Sequence, residues 1–245
     1  MAEHLRVHVA GVGQDPPERI LIPLVQSRAD RAYLITRQKD DLPVTKMLDE
    51  VKTSLSEKIP ACEVRLVRMD IWDLESQLKE CKNIFQREKG NHISVNVSTG
   101  TGVANIAGML ACMLWGGTPY YALMDYPGNP TSVKEVVELP VYTVRQPEPH
   151  LVTILKLLQD GGGRLSKKQL IDAMKGDKAL MPDYGRMFHD EEKKMPYSTS
   201  ASHSKLKVYL RPLESEWGFV KSESRGRNGR VELTEAGKQA LRIFG

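Results

Sequence analysis

The segment Asn96 to Trp115, NVSTGTGVANIAGMLACMLW, gathers hydroxyls and glycines immediately ahead of an apolar helical pattern. Ser98, Thr99 and Thr101 supply side-chain donors, while Gly100 and Gly102 allow a ligand close to the backbone. The chemistry on offer is anion binding. The first amides of a helix have no partner within it, and the helix dipole favours negative charge there. Asn96, Ser98, Thr99, Gly100, Thr101, Gly102 and Asn105 are therefore candidate contacts for a phosphate-bearing ligand. A second loop, Gly11-Val12-Gly13-Gln14, is equally permissive, although a glycine turn after a strand also serves as a plain tight connection. Neither loop carries the Gly-Lys-Ser/Thr of a P-loop, and Pro16 stands where a dinucleotide fingerprint starting at Gly11 needs its third glycine. That counts against ATP hydrolysis and dehydrogenase chemistry. For the latter, Asp30 lies near the spacing of the ribose-binding acid, but it precedes a strand instead of ending one.

A second constellation lies near the C-terminus. Arg225, Arg227 and Arg230 cluster on a glycine-bearing tip between two short strands, and a preceding helix presents Ser200, Ser202, His203, Lys205 and Lys207. Arginine's planar fork matches both phosphate oxygens and the guanine edge, so this pattern suits double-stranded DNA. A charged hairpin taken alone is also an ordinary solvated turn, and a winged helix can serve protein contact instead.

The elements that position these residues follow from periodicity. Strand patterns at Leu5–Ala10, Arg31–Thr36, Glu63–Met69, Ile93–Val97 and Thr118–Met124 alternate with helical patterns around Ile20–Val25, Val44–Leu55, Leu74–Phe85 and Val103–Leu114. This alternation predicts a largely parallel sheet with helices on both faces, its ligands at the carboxyl ends of the strands. Ile106 to Trp115 is apolar almost all round, which predicts a deeply buried helix. A last strand is expected over Glu138–Val144, then a stiff linker, Arg145 to Pro149. Beyond it come helices at Leu151–Leu158, at Lys167–Met174 behind a Ser166/Gln169 capping box, and from about Ser200 to Ser215, with a charge-dense insert at Lys175–Tyr197. Strands at Trp217–Lys221 and Arg230–Leu233 and a Thr234-capped helix, Glu235–Phe244, complete a winged helix-turn-helix. The predicted domains are residues 1–145 for ligand sensing and dimerisation and 150–245 for DNA binding.

Composition sets the outer bounds. Hydrophobic residues make up 40% and charged residues 27%, as in folded globular chains. No run approaches the roughly 18 to 20 apolar residues of a membrane span, so a cytoplasmic protein with no membrane association is expected. Cys62, Cys81 and Cys112 are odd in number and lack metal-ligand spacing, so neither a disulfide framework, a metal site nor a resident cofactor is expected. Lys and Arg are outnumbered 17 to 19 by Asp and Glu up to residue 150, but outnumber them 18 to 12 after it. The positive charge lies where nucleic-acid binding is expected.

NVSTGTGVANIAGMLA, the GGTPYYA strand that follows it and the C-terminal VELTEAGKQAL together resemble the CRISPR-associated Rossmann-fold (CARF) regulators with a winged helix-turn-helix, over essentially the whole chain. The resemblance implies an α/β fold: an N-terminal Rossmann-like, CARF-like parallel sheet with a C-terminal winged helix-turn-helix domain. It also implies a homodimer whose paired strand-end loops bind a cyclic oligonucleotide such as cyclic tetra-adenylate. Binding would shift the separation of two recognition helices and so alter the affinity for DNA in a CRISPR-associated, antiviral transcriptional response. The family's loop pattern is Asp or Asn, any residue, Ser or Thr, then three residues and a Lys or Arg. Asn96 and Ser98 match it, but Gly102 occupies the basic position. In relatives that cleave the ring, polar and basic residues here hold the scissile phosphate, so Gly102 points to binding without catalytic residues; the alternatives are ring cleavage and a regulator of other genes that responds to a different nucleotide. Arg37, at the end of the second strand, could restore the charge or be a solvated loop residue.

Overall fold

A computed structural model describes residues 4–39, 42–126, 128, 132–181, 199–223 and 229–245, and divides the chain into two compact units, Met1–Arg145 and Gln146–Gly245. In the first unit β1 (Arg6–Gly11), α1 (Glu18–Ser27), β2 (Arg31–Arg37), α2 (Leu42–Lys58), β3 (Glu63–Met69), α3 (Leu74–Arg87), β4 (His92–Asn96), α4 (Gly102–Trp115), β5 (Thr118–Met124) and β6 (Val133–Glu138) follow in order. The sheet order is β3-β2-β1-β4-β5-β6. All pairings are parallel except that of β6, which runs antiparallel to β5. This is a mostly parallel, Rossmann-like sheet, and its strand order reverses between β1 and β4.

Side chains on the two faces of the sheet build two cores. Ala10, Ala32 and Leu34 pack with Ile20, Leu24, Val44, Leu48 and Val51 of α1 and α2. Val7, Val9, Tyr33 and Val95 pack with Cys81, Ile84 and Phe85 of α3 and with Ala111 and Cys112 of α4. Burial pushes the Cys81 and Cys112 thiols up to about 12, so both are inert small apolar groups. At the amino ends of the strands a buried carboxylate, Glu88, accepts hydrogen bonds from Arg31 at 2.7 Å, Tyr33 at 2.6 Å and Asn91 at 2.8 Å. Burial alone would raise its pKa; these donors outweigh it, and the net direction is down.

Two sequence expectations are corrected here. Helix α4 is not buried all round: Ala107, Gly108, Ala111 and Cys112 face the sheet, while Ile106 is 57% exposed. Small residues face inward because α4 lies so close to β4 that a Cβ on Gly108 would stand 2.9 Å from Val95 Cγ1. The last strand is Val133–Glu138 rather than Glu138–Val144. Its ladder ends at Leu139, whose amide donates to the Pro119 carbonyl at 2.8 Å, and the next residue, Pro140, has no amide to continue it.

The second unit contains α5 (Pro149–Asp160), β7 (Arg164–Ser166), α6 (Lys167–Met174), α7 (Thr199–Ser215), β8 (Val220–Ser222), β9 (Arg230–Leu233) and α8 (Glu235–Phe244). Pro149, expected in the linker, is the first residue of α5, where its missing amide costs nothing. The Ser166/Gln169 capping box is present, with Gln169 N donating to Ser166 Oγ at 3.2 Å and Ser166 N to Gln169 Oε1 at 2.9 Å. Strand β7 joins the wing strands in the order β7-β9-β8 and was not expected from the sequence. The first wing strand begins at Val220, not Trp217, whose ring instead stacks on Phe219 at 5.9 Å. Leu151, Ile154, Leu155, Leu158, Leu170, Leu206, Leu210 and Leu213 form the core of this winged helix. Most of the charge-dense insert expected at Lys175–Tyr197, residues 182–198, lies outside the described residues, as do Arg225 and Arg227 of the wing tip.

Candidate functional site

The strand-order reversal places the loop after β1 beside the loop after β4. Ala10 pairs with Asn96 across the two strands. The loops then touch backbone to backbone: a Cβ on Gly11 would stand 3.0 Å from the Thr99 carbonyl oxygen, and one on Gly100 would stand 3.0 Å from Gly11 Cα. Gly100 also has φ +84°, a conformation suited to glycine. Two segments far apart in sequence thus form one crevice at the carboxyl ends of the strands.

Asn96 and Ser98, expected as ligand contacts, are buried and spend their polar groups inside the protein. Asn96 Nδ2 donates to the Arg19 carbonyl at 2.8 Å, and its Oδ1 accepts Ser98 N at 2.9 Å and Ser98 Oγ at 2.6 Å. Ser98 Oγ accepts Ala122 N at 3.1 Å. These residues shape the loop and tie it to α1 and β5. Thr101 caps α4 through Ala104 N at 3.1 Å and donates to the Ile71 carbonyl at 3.0 Å. Thr99 is buried, and its Oγ1 and the Asn105 Oδ1 have no partner among the described residues. A Cβ on Gly102 would meet nothing within 4 Å, and because Ala104 N is taken by the Thr101 cap, the amides of Gly102 and Val103 are the α4 donors without an intrahelical partner.

Two residues absent from the sequence expectation sit at the crevice. Asp15 Oδ2 accepts Gly100 N at 2.9 Å, and its Oδ1 lies 3.3 Å from Arg19 Nη1. Arg19 is buried, with its guanidinium 5.3 Å from the Tyr121 ring centroid. A cation therefore stands beside the loop although Gly102 carries none. The sequence signal was the Asp15–Arg19 spacing of four at a helix start, masked because α1 reads as an amphipathic core helix. Arg37 is half-buried at the end of β2, and its carbonyl accepts Arg68 Nη1 at 3.3 Å. A cavity of about 320 Å³ opens beside the crevice, lined by Gln14, Asp15, Pro43, Lys46, Met47 and Glu50. Gly13 approaches Gly100 as well, and Val12 is buried in the α1 and α2 core.

A buried polar chain supports the crevice from below. Ser27 Oγ lies 2.8 Å from His8 Nε2, His8 Nδ1 lies 3.3 Å from the Tyr120 hydroxyl, and Tyr120 in turn bonds Asn96. Burial first, and the charge of Arg6 second, lower the His8 pKa to about 4, so the ring is neutral near pH 7.

In the winged helix, the exposed residues described on α7 are Ser200, Ala201, Ser204, Lys207, Val208, Arg211, Glu214 and Ser215. Ser202 is 1% exposed, which corrects its expected role at a surface, and its hydroxyl has no partner among the described residues. His203 and Lys205 are half-buried, with Lys205 Nζ 5.9 Å from the Tyr209 ring centroid. Arg230 is exposed at the start of β9. Ser204, Val208 and Arg211 are exposed on the same helix but lay outside the expected set, which followed residue type and not the helical period.

Residues 6–125 match the family model described as HFX_2341_N-like, N-terminal, and residues 150–245 match the DUF6293 C-terminal winged helix domain. The C-terminal unit is a winged helix domain. An uncharacterized protein of Archaeoglobus fulgidus is 23% identical over 243 residues, covering 98% of each chain. Solved structures similar to it include Enterococcus italicus Csm6 bound to cyclic hexa-2'-fluoro-hexa-dAMP, with 12% identity, TM-score 0.45 and 87% of this chain covered. Can2 from Sulfobacillus thermosulfidooxidans in complex with cyclic tetra-adenylate has 12% identity, TM-score 0.42 and 97% coverage. VC1899 from Vibrio cholerae has 14% identity, TM-score 0.40 and 97% coverage. The chain spans 56%, 63% and 65% of those three chains respectively. No described helix is long and apolar enough to cross a membrane.

Proposed function

We propose that the protein is a DNA-binding transcriptional regulator that senses a cyclic oligoadenylate, such as cyclic tetra-adenylate, at the interface of a homodimer. The observation that carries this reading is the crevice at the strand-order reversal, where the Gly11–Gln14 and Ser98–Gly102 loops meet beside Arg19. Helix amides with a fixed cation nearby suit a phosphodiester. The family resemblance of the Asn96–Ala111 motif supplies the ligand class. The outer face of α4, with Ile106 exposed and Val103, Leu110, Met113 and Leu114 half-buried, is an apolar surface that a second copy can cover isologously. It starts at the same Gly102 that opens the crevice, so a ring on the two-fold axis would meet both copies. Ser200, Ser204, Lys207, Val208 and Arg211 on α7, with Arg225, Arg227 and Arg230 on the wing, are the proposed DNA contacts. The ring acts only through a difference in affinity between DNA-competent and incompetent arrangements.

Isothermal titration with cyclic tetra-adenylate and cyclic hexa-adenylate tests the sensor, with one ring per two chains expected. Gel shifts of upstream fragments with and without the ring test the regulator. Absence of heat with either ring sinks the sensing role, and absence of binding to any fragment sinks the DNA role. Ring cleavage is the second reading, favoured by Arg19, which returns a cation to a loop that Gly102 leaves uncharged. Attack of a ribose 2'-hydroxyl on the adjacent phosphate would give a 2',3'-cyclic phosphate and a free 5'-hydroxyl. Labelled ring recovered intact after hours with the protein excludes it.

A further inference from the structure

We propose that Trp72 is a stacking platform for an adenine base of the ligand held in the crevice, a role that rests on the nucleotide-sensing reading above. Trp72 is 70% exposed, in contrast to Trp115, which packs with Phe85 at 6.1 Å, and Trp217, which stacks on Phe219. No aromatic or cationic group partners the Trp72 ring among the described residues. Its backbone is nevertheless fixed on both sides. Ile71 is buried, and its carbonyl accepts Thr101 Oγ1 at 3.0 Å and the buried Gln77 Nε2 at 3.1 Å. Trp72 N donates to Asp70 Oδ1 at 3.0 Å, and Asp73 caps α3 through Ser76 N at 2.8 Å.

The Thr101 bond decides the placement. Thr101 is the capping residue of α4, so the carbonyl one residue before Trp72 is tied directly to the N-terminal end of that helix, where a Cβ on Gly102 would meet nothing within 4 Å. The backbone at Trp72 is thereby held beside the N-terminal end of α4, and most of the residue's surface is exposed. Charge selects what part of a ligand meets it. Asp70 and Asp73 stand two residues before and one residue after Trp72 in the chain and repel phosphate, whereas the amide end of α4 attracts it. The phosphate therefore goes to the helix end and the neutral base to the indole. Base stacking on an aromatic residue accepts any base, so Trp72 adds affinity while the ring's size and phosphate spacing set selectivity.

Full-length protein, Trp72→Ala and Trp72→Phe are titrated with cyclic tetra-adenylate by calorimetry and by tryptophan fluorescence, with sedimentation as a check on assembly. The expected result is quenching in the unmodified protein that disappears in both variants. Affinity should fall about 10- to 100-fold in Trp72→Ala and be largely restored in Trp72→Phe. Ring binding to Trp72→Ala within twofold of the unmodified protein, without Trp72 quenching, overturns the stacking role and leaves the sensing role standing. A ring that gives no heat with the unmodified protein overturns both. A Trp72→Ala protein that sediments as a monomer where the unmodified chain is a dimer overturns the proposal in favour of a subunit contact.

Discussion

Arg19 and Asp15 form an ion pair beside the loop, and the proposed anion binding assigns Arg19 the charge that the loop itself lacks. Asp15 uses one carboxylate oxygen on Gly100 N and aims the other at Arg19, whose backbone carbonyl is fixed by Asn96. Removing the guanidinium leaves the carboxylate uncompensated at the mouth of the crevice. Arg19→Ala is therefore expected to weaken cyclic tetra-adenylate binding by about 10-fold or more, a charge-assisted hydrogen bond being worth about 1.5 to 3 kcal/mol. Asp15→Asn keeps the Gly100 bond, removes the repulsion, and should bind the ring no more weakly than the unmodified protein; calorimetry on the two variants checks both. His8 gives a second test at this scale. Its folded pKa of about 4 lies below the ordinary 6.5, so the stability gained by keeping it neutral is complete above pH 6.5 and is lost as pH falls toward 4. The loss amounts to about 3 kcal/mol. Chemical denaturation across that range should show the decline, and His8→Gln, which cannot titrate, should flatten it.

At the scale of the element, α4 is defined by what it lacks. Gly108 permits the approach to β4, so Gly108→Val must push the helix off the sheet or displace Val95 and Val97, with an expected loss of about 1 to 3 kcal/mol in unfolding free energy. A Gly108→Val protein as stable as the parent would mean that the helix is less tightly seated. The same helix shows where sequence reading stopped. Its existence and ends were legible to within a residue because Thr101 and Gly116 bracket a run that is apolar except for Asn105. Its orientation was not, since a helix apolar on every side carries no moment, and only the small residues mark the inner face. Strand β7 is three residues long, too short to show alternation. The β6 segment was misplaced because the apolar residues beyond Leu139 outweighed Pro140 in the pattern. The crevice loops were readable from glycines and hydroxyls, but Arg19 was hidden inside an ordinary amphipathic helix, and burial of Asn96 and Ser98 depends on long-range partners in α1 and β5.

For the whole molecule, the uneven charge and the two kinds of unit predict how binding events couple. If the Lys and Arg excess after residue 150 serves the proposed DNA binding, affinity should fall with salt at a slope near 0.9 per phosphate contacted. Assembly determines how large that affinity can be. In the proposed dimer, two winged helices joined through their α/β units would bind two half-sites as one ligand, with the second contact made at high effective concentration. If α4 is the seam, charge on its outer face should undo ring sensing and DNA binding together. Ile106 is exposed in the single chain, so Ile106→Glu costs little folding stability, yet it places two carboxylates against an apolar surface in the dimer. Sedimentation equilibrium should show a monomer, with thermal unfolding close to that of the parent. The one-to-two ring stoichiometry should disappear, and affinity for a palindromic fragment should drop about 100-fold or more while single half-site binding persists. An Ile106→Glu protein that remains dimeric and still takes one ring per two chains would move the seam away from α4, and the crevice would then have to be completed by a different surface.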